Sequence, residues 1–560
     1  MERRKRAYRA EKILAKVSEA SRKSWLESLC EAKAEAGEGS KEVVLRRLIR
    51  IEDQRKNARI IGRVNGKLQS GSVTSVVAPN EEGEWVEVVG KEGIEKALLE
   101  ENERWFNQAK ATPFLQQPLL DLVGKLGVGK AAEEILNGTF VVPEGVDEWA
   151  ARLIPFLARV PKESSGRVQG PERRVSLESH VEGWRKAKER TSSGPSGITF
   201  AHFKAGTRDP VVAEFEALMS SIPYETGISP DRWQNGTNVM LEKQKGNFRV
   251  DKLRAILLYE ADFNQNNKKL GREMMYSAED LRAIAKEQYG SRSRLTAINQ
   301  SLNKWLTYDI IRQKKRPGAL CSNDAKSCYD RIVHSVASLA MQRVGAPVEP
   351  IICMFTSIQN LQHRIRTVFG DSEVGFSGAL YVVPIQGVGQ GNGAGPQIWA
   401  VVSTPVFNML RSLGFGAHLK ATISGARLEF VGFAFVDDAD LVEIARSTVE
   451  MVQEVAGRMQ RSLTAWEGGL RATGGAIVPE KSHWYLIDFV WTDGQWRYAS
   501  MEETEAGLVV RDCDGNMKMI ERLSVSDAQR TLGVRLAPDR NNEAEVKFLR
   551  ERAKDLADRV

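Results

Sequence analysis

Apolar and polar positions divide the chain into a charged, helix-patterned beginning and a later part built of short apolar strands. A charged stretch reads as helix to about Ala36 and breaks at Gly37-Glu38-Gly39-Ser40. A second charged helix is predicted over about 41–57, then a short strand entering a turn at 59–66. Helical periodicity returns around 92–110 and 114–137, and 143–155 reads as a linker with a short helix. Residues 239–259 have the form of a hairpin with a basic tip, Lys243-Gln244-Lys245-Gly246, and a helix follows over about 295–312. A strand over 319–323 ends in Asp324, and an amphipathic helix is expected from Tyr329 to about Arg343. A Gly-rich stretch, 384–396, introduces a long helix over about 396–412. The apolar run 430–436 ends in Asp437-Asp438 and resumes at Leu441-Val442. Strands are predicted at 484–491 and 494–498, a hairpin over 507–522 turning at Asp514-Gly515-Asn516, a strand at 532–536 and a helix from about Ala544.

The adjacent carboxylates at 437 and 438 change this picture from architecture to chemistry. Two like charges beside a buried-looking strand repel each other, and a divalent cation shared with a third carboxylate relieves the repulsion. A plain hairpin turn made of Asp residues is the other reading of the pair alone. Asp324, at the C-terminal end of a strand, is the natural third ligand. Composition adds bounds. Lys plus Arg number 80 against 73 acids, a net charge of +7 compatible with a nucleic-acid partner. Five scattered cysteines without a C-x-x-C pair argue against a disulfide framework or a zinc knuckle and fit a reducing, intracellular setting. No apolar run is long enough to span a membrane, and the start, Met1-Glu2-Arg3-Arg4-Lys5-Arg6, is a basic cluster rather than a signal peptide. Gly124-Lys125-Leu126-Gly127-Val128-Gly129-Lys130 has the spacing of a phosphate-binding loop, but Ala131 follows where a hydroxyl is needed and helix rather than strand precedes it. It reads as a helix–turn–helix joint.

The order of these segments resembles one family. Asp324 with Tyr329-Asp330, Gln390-Gly391-Asn392 with Gly395-Pro396, Phe435-Val436-Asp437-Asp438, 474–481 and Leu532-Gly533-Val534 are similar to the successive palm motifs of reverse transcriptases. They are most similar to those of non-LTR (LINE-type) retrotransposons. Gly194-Pro195-Ser196-Gly197-Ile198, Pro230 with Trp233, 254–258 and Tyr289-Gly290-Ser291-Arg292 resemble that family's fingers motifs, so the likeness covers about 185–540. Asn323, Cys328, Ser196 and Val436 depart from the commoner residues, and no metal ligand is lost.

The resemblance implies an α+β right-hand polymerase. Its parts are a mostly helical region with a basic start (1–160), fingers (165–315), a palm with the carboxylates (316–525) and a palm/thumb junction with a truncated thumb (526–560). An endonuclease would normally stand upstream, and no ribonuclease H module is expected. The implied activity is RNA-directed DNA polymerisation with an RNA template, a DNA primer and deoxynucleoside triphosphates as partners and no membrane. Two Mg2+ ions, with Mn2+ as the substitute, would lie on Asp324, Asp437 and Asp438. Lys243, Lys245 and Arg254 are candidates for the triphosphate, the choice between the two lysines staying open. Gln390 and Gly391 would line the nucleotide site. Lys481 is either near the leaving pyrophosphate or a surface lysine. Tyr329 would be the aromatic gate against a ribose 2′ hydroxyl, and Asp330 and Asp440 would brace their helix and strand. The alternative is an inactive retroelement remnant that binds RNA without polymerising.

Overall fold

In the strands that carry the three carboxylates, neighbouring residues point to opposite sides, and both sides are covered. Ala319, Cys321, Leu441, Trp484 and Leu486 enter one core, whereas Leu320, Val442, Tyr485 and Ile487 enter another. A sheet covered on both faces needs apolar residues at successive positions, which is why these segments read as continuous apolar runs. The structure is a computed structural model that describes residues 74–161, 173–244, 246–326 and 328–558, with scattered positions between 24 and 50. The basic start, the break at 37–39, the strand expected at 59–66 and Lys245 lie outside the described residues.

Two compact units divide the chain: Met1–Ser70 with Val546–Val560, and Gly71–Glu545. In the first, residues 42–46 are helical. The helix Glu543–Ala557, most of which belongs to the first unit, buries none of its residues. The second unit is a mixed α+β body with several sheets. Its largest sheet has six strands, in the order Gly432–Phe435, Asp438–Ile444, Gly318–Asp324, His483–Ile487, Met517–Leu523 and Leu508–Arg511. All neighbours are antiparallel except His483–Ile487 with Met517–Leu523, which run parallel. Helices His334–Arg343, Gly395–Ser412 and Val452–Ala472 supply one core, with Trp399, Phe407 and Trp466 among its largest side chains. Helix Ala297–Lys314 lends Tyr308 and Ile311 to the other.

A second sheet pairs Leu253–Leu258 with Asn235–Glu242 in an antiparallel hairpin and continues, in parallel, to Gln362–Thr367. A small hairpin, Ser75–Pro79 with Trp85–Val89, was not foreseen in the sequence. Its five-residue strands are too short and mixed to stand out. They are stabilised by Val76 and Ala78 packing with Met240, Leu253 and Ile365.

Three local expectations are corrected. The helix expected from Tyr329 is broken into Cys328–Arg331 and His334–Arg343. The backbone between them is engaged elsewhere: the Val333 amide donates to the Thr473 carbonyl, and the Ile332 carbonyl accepts from Gly387. The helix expected over 114–137 is a 3-10 turn and two short helices, Leu119–Val123 and Lys130–Leu136, with Gly127 at positive φ pressed against the Ser335 carbonyl. Those neighbours are helical, so the false phosphate loop is a packed joint. Leu532 and Gly533, expected in a strand, form the turn between Gln529–Thr531 and Val534–Leu536, both with positive φ. Among the described residues no helix is long and apolar enough to cross a membrane.

Burial fixes one solution property. His334 stacks on Phe355, its Nε2 donating to the Gly387 carbonyl and its Nδ1 accepting from Gln359 Nε2, while His363 stacks on Phe376 beside Phe106. Burial lowers their pKa values to about 4 and about 3. Their folded values lie below the unfolded value of about 6.5. The stability they carry is therefore complete above pH ~6.5 and is lost as pH falls toward about 4 and 3. Stability should fall steadily over that window, by an amount on the order of 3–5 kcal/mol per histidine, and the thermal midpoint with it. Replacing both with Gln should lessen the fall, leaving the part carried by His180 and His483, which burial also lowers to about 4; an unchanged pH profile refutes the assignment.

Candidate active site

The Asp437-Asp438 pair begins at the hairpin that joins Gly432–Phe435 to Asp438–Ile444. Phe435 is paired with Asp438, so the loop is two residues, Val436 and Asp437. Positive φ falls on Val436 (60°), the first loop position, as in a type II′ turn, where Gly is the usual residue. A β-branched side chain strains such a backbone, and the surroundings must hold it there. Gln288, with no exposed surface, does so by bonding both backbone groups of that residue. Its Oε1 accepts from the Val436 amide at 2.9 Å and from the Gly290 amide at 3.0 Å. Its Nε2 donates to the Val436 carbonyl at 3.3 Å, and Trp399 Nε1 donates to the same carbonyl at 2.5 Å. Tyr289 donates its amide to Ala434, so this segment adds to the sheet edge. A Cβ on Gly290 would stand 2.5 Å from the Val436 nitrogen, which leaves room for glycine alone.

Register then brings in the third carboxylate. Asp438 is directly opposite Asp324 on the neighbouring strand. Burial raises the pKa of Asp437, as does the charge of Asp324, while the Cys328 thiol donates a hydrogen bond to it. Asp438 is pushed up to about 6, first by desolvation and then by Asp437, Asp324 and Asp440. Asp440 itself is a brace: it is buried with Lys304 at 2.9 Å and accepts from the Ser322 hydroxyl. Asp330 is also buried, raised to about 7 by desolvation and held by the Gln390 amide, away from the carboxylate group.

A cleft of about 1110 Å³ collects the remaining candidates. Asp324, Asp437, Tyr329, Gln390, Gly391, Lys243, Arg254 and Lys481 all line it, whereas Asp438 lines an adjoining recess of about 250 Å³ shared by Asp324 and Lys481. Lys243 and Arg254 come from the hairpin, whose register sets Arg254 opposite Leu241. The Lys243 ammonium is held below the usual lysine value by desolvation first and then by Lys481 and Arg254. Cations that repel one another in a cleft favour an anionic ligand. Gln390 and Gly391 are fixed against the strand Leu253–Leu258: the Leu257 amide donates to the Gln390 carbonyl, and Asn264 Nδ2 donates to the Gly391 carbonyl at 2.9 Å. Gly391 has φ 141°, and a Cβ there would meet the Leu257 carbonyl oxygen at 2.2 Å. Tyr329 is half-buried, with its ring against Gly395.

Lys481 is exposed and ion-paired. Its Nζ stands 3.0 Å from Asp324 Oδ2. The three carboxylates offer hard oxygen donors whose mutual repulsion favours a cation, and an ammonium already meets that demand at Asp324. Among the described residues no three His, Cys, Asp or Glu side chains are gathered as a ready ion cage. Carboxylate oxygens are the donor type a divalent cation takes, but as they stand the three are not gathered around one point, and Asp324 is paired with a lysine. Gln288, Trp399 and Lys304 escaped the sequence reading because their importance lies in contacts 148, 37 and 136 positions away.

Gln288→Leu should lower the thermal midpoint by the equivalent of about 1–3 kcal/mol, since it strands the Val436 peptide. Gly290→Ala should cost at least as much, because the clash is with backbone. Wild-type melting of both proteins would refute the clamp. Compared with protein-family models and with curated proteins, the chain gives no match to either.

Proposed function

We propose that the chain is an RNA-directed DNA polymerase of the non-LTR retrotransposon kind, adding deoxynucleotides to a primer 3′ hydroxyl. The observation that carries the reading is the register that sets Asp438 opposite Asp324, with Asp437 at the turn beside them. The cleft beside this group supports it, because its lining joins Lys243 and Arg254 to Tyr329 and Gln390.

In this reading the six-stranded sheet is the palm and the hairpin carrying Lys243 and Arg254 belongs to the fingers. Asp324, Asp437 and Asp438 would hold two Mg2+ ions, or Mn2+ in their place. When bound, these supply activation of the attacking hydroxyl and neutralise charge on the departing pyrophosphate. The protein's own groups do the rest. Lys243 and Arg254 neutralise the triphosphate oxygens, the latter by a two-pronged guanidinium contact. The Gln390-Gly391 loop, locked to the hairpin by Leu257, presents backbone to the nucleotide without a side chain at 391. Tyr329 backs the sugar, where a ring excludes a 2′ hydroxyl. Lys481, which pairs with Asp324, would neutralise a pyrophosphate oxygen.

Primer extension on an RNA template with deoxynucleotides and magnesium tests the reading. Asp437→Asn should reduce extension by ~10³-fold or more. Extension that survives it refutes the metal assignment. Tyr329→Ala should admit ribonucleotides, and unchanged sugar selection counts against the gate. A chain that extends nothing yet binds RNA supports the second reading, a remnant, for which the Lys481 ion pair closing Asp324 is the specific observation.

A further inference from the structure

The strand that Asp324 ends begins at Gly318, and Gly318 is paired with Ile487 on the next strand. The chain entering Gly318 and the chain leaving Ile487 therefore meet at the end of the sheet remote from the carboxylates. Six steps of strand separate the two ends by roughly 20 Å.

From Ile487 the chain forms a separate hairpin, Phe489–Thr492 with Gln495–Tyr498. Phe489 is opposite Tyr498 and Trp491 is opposite Trp496. With a period of two, all four rings share one face. The inner pair, with centroids 4.9 Å apart, packs on the body, while the outer pair stands edge-on at 5.3 Å with Trp491 59% and Trp496 49% exposed. Two adjacent indoles left in water mark a surface that is covered in use.

The chain entering Gly318 is the end of helix Ala297–Lys314, which runs out as Lys314-Lys315-Arg316. Lys315 Nζ lies 4.8 Å over the Phe489 ring, which ties this basic run to the ring face. Lys314 Nζ donates to the Lys420 carbonyl at 3.3 Å, bringing in a further hairpin, Ala417–Lys420 with Arg427–Phe430, and two more cations. None of these five cations has an ion-pair partner among the described residues. Of the nearby acids, Asp309 is shared by Arg312 and Arg540, Glu429 lies 3.4 Å from His418 and is ion-paired when that imidazole is protonated, and Asp488 has no ion-pair partner among the described residues. Asp493, in the Trp hairpin's turn, is the remaining acid of that hairpin.

We propose that this face binds a single RNA strand, with unpaired bases stacking on Trp491 and Trp496 and phosphates lying along Lys314, Lys315, Arg316 and Lys420. Cations without acids call for a polyanion, and open ring faces call for bases that are not already stacked in a duplex. The choice of RNA over DNA rests on the polymerase reading, in which RNA is the template.

Fluorescence anisotropy of the full chain with a labelled 20-nucleotide uridine RNA, in the absence of triphosphates, tests the face separately from synthesis. Trp491→Ala with Trp496→Ala should weaken binding about tenfold or more. Lys314→Gln, Lys315→Gln and Arg316→Gln together should reduce the slope of log affinity against log salt by about 2. Ultraviolet cross-linking of the unmutated chain should place RNA on the peptide 489–498, a readout independent of how the variants fold. Unaltered affinity and slope in variants that melt like the parent overturn the proposal, as does the absence of that cross-link. Preference of the face for single-stranded DNA overturns the assignment of RNA, and Trp-dependent capture by anionic vesicles with RNA affinity unchanged assigns it to lipid instead. Binding through this face without primer extension would sustain the surface and sink the polymerase reading.

Discussion

Three carboxylates are held within one strand pairing of each other, and everything near them answers that repulsion. Asp324 and Asp438 face each other because their strands are locked into register along seven residue pairs, from Gly318 with Ile444 to Asp324 with Asp438. Apolar packing on both faces holds that register, since a slip by one residue would exchange the two cores. The local responses are chemical. Lys481 lies on Asp324, Cys328 donates to Asp437, and Lys304 draws Asp440 out of the group. Asp438 is pushed up to about 6, by desolvation first and then by the neighbouring carboxylates.

The turn at Val436 is the second constraint. Glycine there would need no support. Valine needs the whole assembly of Gln288, Gly290 and Trp399, which joins the helix Gly395–Ser412 and the segment before helix Ala297–Lys314 to a single residue. The position of Asp437 is thereby tied to elements far along the chain. The same pattern recurs at Gly391, where absence of a side chain lets one loop bond to the strand that carries Arg254. Both devices place side chains of the cleft on rigid supports.

Most element positions could be read from the sequence because they rest on local rules. The strand ending at Asp324, the hairpin turning at Asp437, the helix after the Gly-rich stretch and the hairpin at 508–523 follow from period, Gly and Pro. The misses came from long-range bonds. The break after Arg331 follows from Val333 bonding to Thr473, and the small hairpin at 75–89 from packing on a sheet formed 160 residues later.

What the residues determined alone was which groups carry charge, which segments alternate, and that two acids stand side by side after an apolar strand. Those are properties of neighbours along the chain. Tertiary structure alone decided that Asp438 meets Asp324, that Lys481 meets Asp324 too, and that Lys243, Arg254, Tyr329 and Gln390 share one cleft. The physical reason is that register and burial depend on packing both sides of a sheet at once, and no local stretch contains both sides.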